Sequence, residues 1–544
     1  MFRSFVGLIA ALAASASLAQ PPAPDAAIQR IQGHVAFLAD DLLEGRESGT
    51  RGHEIAAAYV AQQLAALGFV GAGENGSFFQ RVPFHERSFG AAGATLTIEG
   101  PGGMTRLTHG TEIVLSPSIE QASDTLTAPL VFAGFGLSAP ALGHDDYAGL
   151  DLRGKIAVIF AGTPEGWPSD VAAHLNGEKQ RMAEAAGAIG VIILRRPTED
   201  RVRSWDRVVV TADRPRVTWI APDGRPQADA PGIRVSGTGS EAAGRALFAG
   251  ASHRYEDVVA EAEAGRSPRG FALPGRATIR RASAFRRFDS PNVVAMLPGS
   301  DPALQGEVVI LMGHLDHLGM LPPETNGDRI YNGAMDNASG IAIMLETARE
   351  LTRGERPRRS ILVLATTAEE RGLLGAEYFA AHPVVPRERI AAAINMDMPI
   401  LTYDLRQAVA FGAEHSTLGE VAETAMRAEG VGLMADPAPE QRSFTRSDHY
   451  PLVKAGIASI YVDTAAYDEA SRHAIDAFDV HYHEVSDDLT QPIHWESAAR
   501  LARINTAMAR AIGNADDRPR WLRGSFFADT FAPDQPRAGS GRAR

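Results

Sequence analysis

The stretch 307–340, EVVILMGHLDHLGMLPPETNGDRIYNGAMDNASG, decides how the rest of the chain is read. Residues 308–312 are five consecutive apolar side chains, the run expected of a parallel strand buried on both faces. The run stops at Gly313, His314 and Asp316 follow at once, and a Pro/Gly/Asn-rich loop leads to Asp336-Asn337 just ahead of a helical apolar pattern at 341–351. In an open α/β sheet the ligand crevice lies at the carboxyl ends of the strands, so polar residues that directly follow a buried strand are placed for chemistry.

The same arrangement recurs three times downstream. An apolar run at 361–367 ends in Ala368-Glu369-Glu370, one at 390–396 ends at Asp397, and one at 457–462 ends at Asp463, with Tyr482-His483 and Asp487-Asp488 shortly after. Together these ends deliver two histidines, His314 and His483, and the carboxylates Asp336, Glu369, Glu370 and Asp397, with Asp316 beside the first histidine. Adjacent carboxylates at the end of a buried strand repel one another and are costly unless a cation is close. The chain has no cysteine, so a metal must be held by imidazole and carboxylate, which suits Zn²⁺ and also Mn²⁺ or Co²⁺. The ligand number suggests two ions. If Asp336 bridges, one ion takes His314 and Asp397 and the other Glu370 and His483, and Glu369 is left over as a general base.

Composition bounds the alternatives. The 544 residues, 45% hydrophobic, suffice for several domains, and a formal net charge of −13 argues against a nucleic-acid or anionic-membrane partner. Residues 1–19 read as a secretory signal, with Arg3 ahead of a short apolar core at 5–14 and small residues before Gln20, which predicts a periplasmic or extracellular protein. That core is shorter than the roughly 20 residues that span a bilayer, and no later segment reaches that length, so no stable membrane insertion is expected. Residues 25–120 show two helical patterns separated by the loop EGRESGTRG, whose Arg46 reads as part of a solvated connector rather than a substrate contact. Residues 121–277 form a β-rich region with expected strands that include 207–211, ending in a Gly/Arg/Ala-rich boundary. Residues 278–514 resume the strand-end pattern, and 515–544, rich in Pro, Gly and Arg, read as a surface-wrapping or disordered tail. The segment GFGLSA at 134–139 imitates a dinucleotide fingerprint but runs into Pro140 instead of a helix.

The motifs GHLDHLG, NGAMDNASG, TTAEERGLLGAEYF, INMDM, RSDHYPLVKAGI and YHEVSDDL, in this order across roughly 292–512, resemble the co-catalytic di-zinc aminopeptidases of peptidase family M28. The resemblance implies an α/β fold with a mixed, mostly parallel sheet flanked by helices. It implies two Zn²⁺ per chain held by His314, Asp336, Glu370, Asp397 and His483 with Asp336 bridging, Glu369 as base, and Asp316 as a carboxylate orienting His314. It further implies that Tyr482 stabilises the oxyanion and that Arg446 contacts substrate. DDYAGLDLRGKIAVIF with KQRMAEAAGAIGVIIL resembles the protease-associated (PA) domain that many members carry as an insert, expected here to hold no catalytic group and to shape access. His317, His449 and His481 occupy positions that the family does not use for metal. The implied activity is a secreted metallo-aminopeptidase in which a metal-bridging hydroxide attacks peptide substrates. The alternatives are a metallocarboxypeptidase or deacylase on the same site, a non-catalytic receptor, or a glutaminyl-cyclase-like protein.

Overall fold

The structure, a computed structural model, describes residues 25–539 apart from Gly102 and Glu324, so the expected signal segment lies outside it. Among the described residues, sixteen strands join in one sheet. At its centre Val308–His314 runs parallel to Ser360–Thr366 on one side and to Ile390–Asn395 on the other, and Ile390–Asn395 runs parallel to Ser459–Ala465. Gln407–Phe411 and the last five residues of Phe271–Leu297 close this part of the sheet antiparallel, which makes it mixed and mostly parallel. The chain enters at Val308–His314, passes to one neighbour, and then crosses to the other. The carboxyl end of Val308–His314 is therefore a topological switch point, where an open sheet leaves a crevice.

Strand alternation decides what each face buries. Val309, Leu311, Ile361, Val363 and Ala365 pack under the helices Ala26–Leu38, Arg51–Ala66, Gly340–Thr352 and Trp495–Asn514. Val308, Ile310, Met312, Leu362 and Leu364 pack against Ala376, Phe379 and Leu452 of the helices Leu374–Ala381 and His449–Lys454. Each fully buried aliphatic side chain contributes about 1.5–3 kcal/mol, so covering both faces explains why these strands are continuously apolar. The buried Glu346 in the middle of Gly340–Thr352 is satisfied by Arg30 of the first helix, at 2.5 and 2.8 Å, which ties the N-terminal segment to the peptidase sheet.

Two long strands carry the sheet onward. Phe79–Gly100 and Phe271–Leu297 pair antiparallel along most of their length, from Arg276↔Glu99 to Val293↔Phe79, and the second also pairs with Ser123–Phe132. From there Ile156–Phe160, Gly190–Leu194 and Val235–Gly239 continue in parallel. The domain boundary expected at 277/278 therefore falls inside a strand. Its Arg-rich, solvent-facing side chains resemble a linker in composition, while Ala277, Ile279 and Val293 supply the buried side. Two further segments differ from expectation. Residues 207–211 are not a strand: Trp205–Val210 is a helix, capped by Ser204, because Trp205 Nε1 donates to the Thr111 carbonyl at 2.6 Å and tertiary contact overrides the β-branched run. Beyond residue 515, Trp521 and Phe527 are buried in the peptidase core. No helix among the described residues is long and apolar enough to cross a membrane.

Candidate metal centre

At the switch point the strand ends bring five predicted donors into mutual contact. His314, the last residue of its strand, places Nε2 2.9 Å from Asp397 Oδ1 and 3.1 Å from Asp336 Oδ1. His483 Nε2 lies 3.2 Å from Asp336 Oδ2 and 3.2 Å from Glu370 Oε2. The two oxygens of Asp336 thus face different partners: one joins His314 and Asp397, the other Glu370 and His483.

Hydrogen bonds around these groups fix their directions. The His314 Nδ1 proton goes to the main-chain carbonyl of Asp316 at 3.1 Å, so Nε2 of the neutral ring carries a lone pair aimed at two carboxylates. Such a contact is repulsive unless a proton or a metal ion sits between. Donor separations of 2.9 to 3.2 Å are close to the edge of about 3.3 Å in a tetrahedral zinc shell with bonds of about 2.0–2.2 Å, so the donor set fits the metal. Without a metal, the cluster polarises itself. Although burial opposes ionisation, hydrogen bonds from His314 and His483 hold Asp336 well below the carboxylate range. The same contacts push His483 up to about 10 against the effect of burial.

Asp316 acts differently from expectation. Its carbonyl, not its carboxylate, orients His314; the fully buried carboxylate accepts the Glu369 amide at 3.1 Å through Oδ1, while Oδ2 has no hydrogen-bond partner among the described residues. Burial pushes it up to about 7. Glu369 itself makes no side-chain hydrogen bond among the described residues. Burial first, then the charges of Glu370, Asp397 and Asp448, hold its carboxyl well above the usual range, with His314 opposing. A carboxyl raised in this way is the more ready to take up a proton.

Several further residues complete the site. Asp487 is fully buried and accepts the amides of Met335 at 2.9 Å and Asp336 at 3.0 Å, one on each oxygen. Asn337 donates to the carbonyls of His314 and Met396 and accepts from Gly340 and Met398, fastening two strand ends to the start of the Gly340–Thr352 helix. A side chain at Gly340 would collide with Asn337 Oδ1 at 2.1 Å, and Gly333, at φ 57°, leaves room for His317. His317 Nδ1 bonds the other oxygen of Glu370 at 2.7 Å, turning Oε2 toward His483. Ser447 donates to Asp397 Oδ2 at 2.5 Å. His449 and His481 stay outside the donor set: His449 is buried against Phe444 and Tyr461, and His481 bonds Ser486.

Arg46 is neither a solvated connector nor a substrate contact. It is 1% exposed and donates to the carbonyls of Leu315, Leu38, Asn332 and Gly333, beneath the acids. Burial lowers it to about 10, which keeps it charged at neutral pH, while the nearby Asp336 and Asp487 counter that effect. At the mouth, Arg446 donates to the Tyr482 hydroxyl at 3.4 Å and the Tyr482 ring stacks on His483 at 3.9 Å, so these two predicted residues meet beside the donors. Burial first and then the charges of Asp336 and Glu370 raise the Tyr482 hydroxyl, so it remains a proton donor. Arg46, Ala368, Met398 and His483 all have left-handed backbone at positive φ, in or next to the site, a conformation that non-glycine residues keep only where surrounding contacts impose it. No residue of 121–277 belongs to the donor set. Trp219 of the Arg216–Trp219 strand does pack with Ala368 and Leu374, beside Glu369, and so forms part of the wall.

Residues 292–509 match peptidase family M28 and residues 126–242 match the PA domain. Residues 292–509 are a family M28 peptidase domain. A "Probable zinc metalloprotease" of Leptosphaeria maculans is 28% identical over 267 residues, covering 42% of this chain and 58% of that protein. A "Probable lipoprotein aminopeptidase LpqL" of Mycobacterium tuberculosis is 27% identical over 241 residues, covering 40% of this chain and 46% of that protein. The chain thus spans about half the length of these two curated relatives. Among solved structures, the aminopeptidase from Aneurinibacillus sp. strain AM-1 aligns over 90% of this chain and 95% of its own, with a TM-score of 0.50 and 20% identity, which is a likeness of fold. The M28 domain and its PA insert account for the parallel sheet and for the strands that extend it.

Proposed function

We propose that this protein is a zinc aminopeptidase that removes N-terminal residues from peptides. The observation that carries the reading is the sharing of Asp336 between two overlapping donor sets, His314 with Asp397 and Glu370 with His483. These residues would hold two zinc ions, which supply Lewis acidity to polarise the scissile carbonyl and to acidify water. Glu369 accepts the proton of the attacking water and returns it to the departing amine. The Tyr482 hydroxyl, steadied by Arg446, donates to the carbonyl oxygen as charge grows on it. The carboxylates crowded around the centre favour a cationic amine at the substrate terminus, which supports an aminopeptidase over a carboxypeptidase. Peptides with a free N-terminus are expected to be cleaved and their N-acetylated counterparts to resist. Equal cleavage of both, followed by chromatography of the products, would turn the reading toward a carboxypeptidase or deacylase.

Asp487 gives a second test. Replacing it by Asn leaves one acceptor for two amides and sets an NH₂ against an N–H, so the turn that aims Asp336 loosens. The expected result is a folded protein whose zinc affinity falls about 10–100-fold, the usual cost of losing a group that orients a metal ligand. Competition with a chromophoric chelator measures it; wild-type affinity would remove Asp487 from this role.

A further inference from the structure

Outside the M28 centre, metal-ligating groups converge a second time where the PA insert meets the peptidase domain. Asp170 lies in the first turn of the insert helix Ser169–Gly177, and Glu414 and His415 lie in the turn after the strand Gln407–Phe411. One donor atom from each falls within 4.8 Å of the others. The His415 ring is wedged between Phe444 and Phe527, with centroids 4.9 Å from each, and its Nδ1 lies 3.4 Å from Ser525 Oγ. Its Nε2 is buried without a hydrogen-bond partner among the described residues. That atom is 3.9 Å from Asp170 Oδ2 and 3.6 Å from Glu414 Oε1. These distances are too long for hydrogen bonds, which close to about 2.7–3.2 Å. They are slightly wider than the edge of about 3.3 Å between ligands on one tetrahedral zinc ion, so an ion would draw the groups together by a few tenths of an ångström.

The insert helix shows why a partner is needed here. Asp170, His174 and Glu178 recur every four residues and so share one face. His174 Nδ1 meets the Tyr450 hydroxyl at 2.7 Å, and Glu178 meets Lys454 at 3.4 Å, both on the peptidase domain. Asp170 faces His415 and, beyond it, another acid, Glu414. Among the described residues, none of Asp170, Glu414, Asp436 and Glu440 forms an ion pair with lysine or arginine. The Asp436 carboxyl is raised by burial and by the charges of Asp170 and Glu440, a sign of uncompensated negative potential at this seam. An imidazole with two carboxylates and no thiolate selects borderline divalent ions, zinc above all, over calcium or magnesium.

We propose that Asp170, Glu414 and His415 bind a structural divalent cation of the zinc class that pins the insert helix to the peptidase domain. The site is independent of the M28 centre. The test is zinc per chain by inductively coupled plasma mass spectrometry, on the full chain equilibrated with buffered zinc, for the wild type, His415→Gln and Glu414→Ala. Glu414 is 59% exposed, so its variant keeps the fold even if the packed His415 variant does not. Each folded variant is expected to hold one zinc fewer than the wild type while hydrolysing an aminoacyl-anilide at the wild-type rate. The zinc-dependent part of the rise in Tm should shrink in Glu414→Ala. Wild-type zinc content in Glu414→Ala overturns the proposal. Failure of the M28 reading is distinguishable: it changes the total in all three proteins and leaves the difference of one.

Discussion

Replacing Glu369 by Gln is expected to lower kcat by at least ~10²-fold, the contribution of a positioned general base, while zinc content stays at the wild-type level. The two halves of this expectation come from different parts of the geometry. Glu369 is absent from the donor contacts, which run from His314 and His483 to Asp336, Glu370 and Asp397, so the amide removes no ligand. Its main chain is held by Asp316 at 3.1 Å, so the replacement keeps its place. What the amide cannot do is take a proton. Asp316, Asp448 and Asp487 are also raised near this centre, but all three are fully buried, Asp448 is engaged by Thr366 and Asp487 by two main-chain amides, so none substitutes easily. Initial rates beside elemental analysis decide the matter: wild-type turnover in a zinc-loaded variant would remove Glu369 from the mechanism, and loss of zinc would make it a ligand.

The second large effect is a difference between two ligand variants. Asp336→Ala should lose both ions, because its two oxygens serve different partners, whereas His483→Ala should chiefly lose one. In the first variant, the His314 and His483 lone pairs both lose the acid that joins them. In the second, His314, Asp336 and Asp397 keep their mutual contacts of 2.9 and 3.1 Å. Zinc per chain after dialysis measures the contrast, and equal loss in the two variants would contradict a shared Asp336. Turnover should vanish in both, so activity alone cannot separate them.

The core of the sheet was readable in the sequence because its central strands are apolar runs, and His314, Glu370 and Asp397 sit at or just after the ends of such runs, whereas Asp336 follows a long loop and His483 an intervening helix. Burial on both faces writes itself into composition, and chemistry at a strand end lies close to that strand in sequence. The supporting groups follow no such rule. Arg46 reaches carbonyls at Asn332 and Gly333, and Asp487 reaches amides at 335 and 336, through main-chain atoms that have no residue identity. Such contacts exist only after folding has joined distant segments. His317 stands close to His314 in sequence, but its partner, Glu370, depends on how two strand ends align. The long strands failed for another reason: with one face in solvent, Arg280, Arg286 and Arg287 mask the alternation that Ala277 and Ile279 carry.

The strand Phe271–Leu297 also bears on how such a chain can be taken apart. Because one strand belongs to both units, the insert has no stem that can be cut cleanly. Excision at the compositional boundary would leave about half of that strand and its partner Phe79–Gly100 facing one another as an uncovered ribbon, with open edges that invite pairing between molecules. Removing the insert without creating a sticky protein therefore means shortening both strands together, register for register. Exchange of the insert for another segment is therefore best made at the ends of that ribbon.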